Sequence, residues 1–232
     1  MKRAAGLWMA LIVGSHALAQ DDIAARAEAA FVSSFAGGDP VILARVAVQD
    51  SVQRICSEHR NAPPAELGQG MMSVQRAAIR YPPQLLGDWR EGERIAEGFT
   101  GGRYNDKPGQ PAGGNCYACH QITPREIGYG TVGPSLLAYG RSRGWGTAAQ
   151  RVVYERIYNA QSFVACSSMP RFGHNGVLTP QQIAHLVALL LDPDSPVHRR
   201  IRSVARFSRS APRRFAAREI SRRSRKYGAS AI

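Results

Sequence analysis

An all-α fold with long connecting loops is what the sequence predicts, and three observations predict it. No segment of any length alternates apolar and polar residues as a half-buried strand requires. Apolar residues recur instead at helical offsets, as at Ile183, Leu186, Val187 and Leu190. Between the periodic stretches stand helix-stopping clusters: Gly37-Gly38-Asp39-Pro40, Asn61-Ala62-Pro63-Pro64 and Tyr81-Pro82-Pro83. With 232 residues, 44% of them hydrophobic, the chain has room for one substantial domain with appendages.

The first appendage is residues 1–19. Lys2 and Arg3 precede an apolar run from Ala4 to Val13, and Ala17-Leu18-Ala19 stands before Gln20 and two aspartates. That is the layout of a cleavable secretory signal peptide, and the run is about half the ~20 residues a bilayer span needs. The mature chain is expected in the periplasm, without a transmembrane span.

Residues 20–82 read as an N-terminal helical extension of two or three helices, with Val41, Val48, Val52 and Ile55 at helix-like offsets. The proline pair at 82–83 marks its end. Residues 83–198 form the next domain. It opens with a short helix around Asp88 to Ala96, whose acidic residues sit in the first turn, where the helix dipole favours them. Gly98 to Gly114 is too rich in glycine to be anything but loop. Near the end, Thr179-Pro180-Gln181-Gln182 supplies an N-cap, a proline at the first helical position and a capping-box glutamine. Asp192-Pro193 ends that helix.

The formal charge of +13 comes from the ends of the chain. Twelve basic residues lie between Arg199 and Lys226, whereas residues 20–198 hold 16 basic and 16 acidic ones. A domain that neutralises phosphates would carry its excess on the folded body, so the core is not expected to bind nucleic acid. Residues 199–232 have few large apolar groups to bury and read as a disordered Arg-rich tail. A C-terminus altered by a reading-frame error, or an arm for an acidic partner or anionic membrane surface, are the other readings.

Cys116-Tyr117-Ala118-Cys119-His120 is C-x-x-C-H, the attachment signature of a c-type haem. Two thiols about one helical turn apart add to the two porphyrin vinyl groups, and the adjacent imidazole reaches the iron from the same side. Half a zinc site would need a second C-x-x-C, which is missing, and a thioredoxin-like pair would need a βαβ context. A second axial ligand of the electron-carrier type is a methionine. Met169, 49 residues beyond His120 and followed by Pro170, is the candidate, a loop methionine opposite a helix-borne histidine. His174 and His185 are rivals, and a core methionine filling a gap is the plain alternative. The remaining cysteines, Cys56 and Cys166, are an even pair in an oxidising compartment, which points to a disulfide. Two separate thiols are the alternative.

Several stretches taken together resemble the SoxX family, the small monohaem cytochrome c subunits of SoxAX complexes in bacterial sulfur oxidation. They are Gly87-Asp88-Trp89, Gly92-Glu93, Gly114-Asn115 with the C-x-x-C-H, Tyr129-Gly130-Thr131-Val132-Gly133-Pro134-Ser135-Leu136, Met169-Pro170-Arg171-Phe172-Gly173, and Leu191-Asp192-Pro193-Asp194-Ser195-Pro196-Val197. The likeness covers roughly residues 45–198.

The resemblance implies a class I cytochrome c fold, in which the helix near Gly92 crosses the helix from Pro180. It implies one haem c bonded to Cys116 and Cys119, axial ligation by His120 and Met169, and a Pro134 carbonyl accepting from the other imidazole nitrogen. It also implies a SoxA-like cytochrome partner holding the active-site cysteine, a SoxYZ-like carrier to which thiosulfate is conjugated, and a small cytochrome c as acceptor. The chain would be the electron-transfer subunit of a thiosulfate:cysteine transferase. The alternative is an autonomous cytochrome shuttle for another periplasmic dehydrogenase. The chain departs from the family in running more than thirty Arg-rich residues past Val197.

Overall fold

The computed structural model describes residues 48–198, apart from 102, 104, 105 and 108, together with parts of 22–44. The chain divides into two units, Met1–Arg199 and Arg200–Ile232. The signal-peptide and basic-tail readings lie outside the described residues. Among the described residues there are helices and no strands, which agrees with the all-α expectation.

Two helices lead into the core domain: α1, Ser51–Glu58, and α2, Ala65–Ala77. Asp50 caps α1 in a reciprocal box, accepting from the Gln53 N–H at 2.8 Å while the Gln53 side chain accepts from the Asp50 N–H at 2.9 Å. The expected break falls at Arg60 and Asn61, both at positive φ, and Pro63-Pro64 precedes α2. Val52, Cys56 and Met71 form a small buried cluster, with Ala165 and Cys166 packed on it.

Helix α3, Trp89–Glu97, starts at the Asp88 cap, which accepts from the Arg90 N–H at 2.8 Å. Helices α4, Tyr139–Arg143, and α5, Thr147–Tyr158, follow, and α6 spans Pro180–Leu191. The Thr179–Gln182 capping box of α6 is formed in both directions. Ile183, Leu186, Val187 and Leu190 are all buried, as their spacing requires. Helix α5 emerges only in the structure, since Gly146 at its N-cap makes no side-chain bond and gives no start signal.

The main core joins Ile95 and Ala96 of α3, Val153, Tyr154, Ile157 and Tyr158 of α5, and the inner face of α6. Helices α3 and α6 cross with Gly92 against the backbone of His185. The Gly87 N–H donates to the Ala184 carbonyl (3.0 Å) and the Asp88 N–H to His185 Nδ1 (2.8 Å). The segment at Tyr81-Pro82-Pro83 is fastened to α5: Tyr81 donates to Glu155 (2.7 Å) and Tyr154 to the Arg80 carbonyl (2.6 Å).

Candidate functional site

The C-x-x-C-H segment is suspended between α3 and a parallel stretch of loop. The Gly114 N–H donates to the Ile95 carbonyl and the Asn115 N–H to that of Gly98, both at 2.7 Å, fixing its entrance to the end of α3. Cys116–Ala118 then makes one 3₁₀ turn, with the His120 N–H closing onto the Cys116 carbonyl at 2.9 Å. His120 lies just past that turn rather than on a helix, because the loop supplies its next partners. The N–H groups of Gly130 and Gly133 donate to the carbonyls of Tyr117 and Cys119 (2.8 Å each), and that of Leu136 to Gln121 (2.7 Å).

This pairing sets the imidazole. Its Nδ1 lies 2.8 Å from the Pro134 carbonyl oxygen. A carbonyl only accepts, so Nδ1 carries a proton and Nε2 is the nitrogen left available to ligate a metal. Gly133 lies flat against the ring, where a Cβ would fall 2.2 Å from His120 Cε1.

Cys116 and Cys119 are not joined to each other. Burial, with the neighbouring Cys119, pushes the Cys116 thiol up to about 12. A thioether at this position would carry no charge to bury. Among the described residues no group of three or more His, Cys, Asp or Glu side chains is placed to hold a metal ion. Cys116, Cys119 and His120 are the side chains brought together here that could hold a prosthetic group, the two thiols by attachment and the imidazole by ligation.

Met169 is half-buried and packs, like Cys116, Tyr117 and Leu136, against the main core. Of the rival ligands, His185 spends its Nδ1 on the Asp88 N–H across the helix crossing. His174 is held below the ordinary histidine value by burial and by Arg171. Cys56 and Cys166 are bridged, with their Cα atoms 5.5 Å apart.

Bonds that no local sequence signal announced hold the chain before and after Met169. Arg171, 5% exposed, donates to Asp50 Oδ2 at 2.5 Å. Gln75 Oε1 accepts from Asn159 at 2.8 Å and from Arg171 at 3.4 Å. Arg76 donates to the Ser162 carbonyl at 2.7 Å. Partners up to 121 positions apart leave no local signal.

Set beside known proteins, 160 residues of the chain align at 41% identity with an uncharacterized lipoprotein of Aquifex aeolicus (strain VF5), spanning 66% of this chain and 75% of that protein. The chain belongs to the family of that lipoprotein. No family model matches it. The chain is also similar to the crystal structure of SoxXA from P. pantotrophus. The identity is 28%, over 51% of this chain and 90% of that one, with a TM-score of 0.36. No helix among its described residues is long and apolar enough to cross a membrane.

Proposed function

We propose that the mature chain is a periplasmic c-type cytochrome, the electron-transfer subunit of a SoxAX-like assembly. Cys116 and Cys119 would bond one haem c, and His120 and Met169 would ligate its iron. The observation that carries the reading is the His120 ring. It follows two unbridged cysteines at the attachment spacing, and a backbone carbonyl fixes its Nδ1 proton.

Bound haem supplies a one-electron ferric/ferrous couple. The chain's own part is to hold and tune it. Pro134 fixes the imidazole tautomer and raises its basicity, and a neutral Met169 thioether favours a higher potential than a second histidine would. With His120 and Met169 both ligating the iron, the chain would offer it no place for a substrate, which favours electron transfer as the role. The thiosulfate-conjugating cysteine belongs on a SoxA-like partner, the accepting cysteine on a SoxYZ-like carrier, and the electrons leave to a small cytochrome c. The family relative's description as a lipoprotein supports a location outside the cytoplasm.

Exporting the chain from a host with cytochrome c maturation tests the reading. A coloured product with a thioether-type haemochrome spectrum and the added mass of one haem is expected. A colourless product with the mass of polypeptide alone would refute it. Co-purification with a second, larger cytochrome is expected for the assembly, and a protein that always purifies alone is the free shuttle.

A further inference from the structure

The loop from Asn159 to Arg171, which carries Met169, has little regular structure of its own beyond the 3₁₀ turn Ala160–Ser162. Ser168 and Pro170, on either side of the methionine, are exposed. Cys166 adopts a left-handed backbone (φ 57°), a conformation that an ordinary side chain keeps only where its surroundings hold it. Those surroundings come from α1 and α2. Three residues before Met169, Cys166 is bonded to Cys56 of α1. Two residues after it, the buried Arg171 guanidinium reaches the Asp50 carboxylate that caps α1. Further back, Gln75 and Arg76 of α2 grip Asn159 and Ser162. The methionine is thus the middle of a short span clamped at both ends by the N-terminal extension.

We propose that residues 50–77 are a positioning brace for the Met169 sulfur, acting through the Cys56–Cys166 bridge on one side and the Arg171–Asp50 pair on the other. The proposal rests on Met169 being the axial ligand. A thioether is a weak, neutral donor, so its hold on iron depends on how seldom its loop opens. The apparent affinity of a competing ligand rises in proportion to the open fraction. An extension that served stability alone would leave that fraction unchanged.

The test uses the full-length mature holoprotein with ferric iron. Arg171→Met and the double variant Cys56→Ala/Cys166→Ala are compared with wild type and with Met169→Ala. Two readouts are taken: the weak red absorption band of methionine bound to ferric haem, and the affinity for added imidazole. Both brace variants are expected to keep covalent haem and helix content, to weaken the band, and to bind imidazole at least about tenfold more tightly. If the double variant does not accumulate, wild-type holoprotein is treated with a dithiol, which gives up two electrons and two protons to the Cys56–Cys166 bridge and is itself oxidised to a cyclic disulfide. The two freed thiols are capped and counted by mass, and the same readouts are made. An unchanged band and imidazole affinity, with the bridge open and with Arg171 replaced, would overturn the brace while leaving the cytochrome reading intact. A Met169→Ala protein indistinguishable from wild type would instead remove the ligand assignment, and the brace with it.

Discussion

Gly92 in α3 and His185 in α6 meet backbone to backbone: a Cβ on Gly92 would lie 2.1 Å from the His185 carbonyl oxygen and 2.8 Å from its carbon. Neither atom belongs to a side chain that could swing away, so the two helices themselves would have to part. Gly92→Ala is expected to cost about 1–3 kcal/mol, as overpacking does. That is a fall of about 2–4 °C in Tm per kcal/mol for a chain of this size. Gly70, inside α2, has nothing within 4 Å of such a Cβ. Gly70→Ala is therefore expected to stabilise by up to about 1 kcal/mol. Thermal unfolding followed by circular dichroism separates the two signs.

The Asp50 carboxyl gives the fold an acid-sensitive fastening. Burial alone would raise it, but the Gln53 N–H and the Arg171 guanidinium outweigh burial and hold it below its ordinary value of 3.8. A depressed carboxyl contributes stability that is present above the unfolded value and lost as the pH falls through the folded one. Asp50→Asn keeps an N-cap acceptor and removes the charge that faces Arg171. It is expected to lower stability at neutral pH by about 1–3 kcal/mol, the cost of leaving a buried donor poorly matched. It should also flatten the pH dependence below about 4. Denaturant midpoints measured across that range check both.

Gly133→Ala is aimed at the His120 ring. The added Cβ would fall 2.2 Å from Cε1 and 2.5 Å from Nδ1, so the imidazole must tilt away from the Pro134 carbonyl. Covalent haem is expected to remain, with a shifted midpoint potential and altered ferric paramagnetic resonance. Superimposable spectra and potential would mean that the ring is not the ligand.

Met169→Ala is expected to leave covalent haem in place, to lower the potential, and to admit external ligands such as cyanide or imidazole to the ferric iron. Potentiometry and ligand titration check it, and a mutant unaltered in both would show that Met169 only fills space.

What the sequence made legible was whatever is encoded within a few residues. The α6 helix could be drawn from Thr179, Pro180, Gln182 and the apolar stripe behind them, and the attachment segment from five consecutive residues. The Gly92 crossing and the Pro134 carbonyl came from resemblance, because a glycine or a main-chain oxygen has no side chain to read. Helix α5 went unseen because its cap, Gly146, makes no bond, although Val153 and Ile157, like Tyr154 and Tyr158, stand one turn apart. Arg171 was legible only as a member of a family pattern. Its partner Asp50 stands 121 positions away, and only the folded chain brings a guanidinium and a helix cap together.

The atoms that aim the His120 imidazole are almost entirely main-chain: the Pro134 carbonyl and the N–H groups of Gly130 and Gly133. Drift at the intervening exposed positions, Thr131 and Val132, leaves those atoms where they are. Saturation mutagenesis of 128–135 should therefore return a comb, permissive at the solvent-facing teeth and closed at the two glycines. The exposed chemistry of this loop could be rewritten there, residue by residue, with the His120 ring undisturbed.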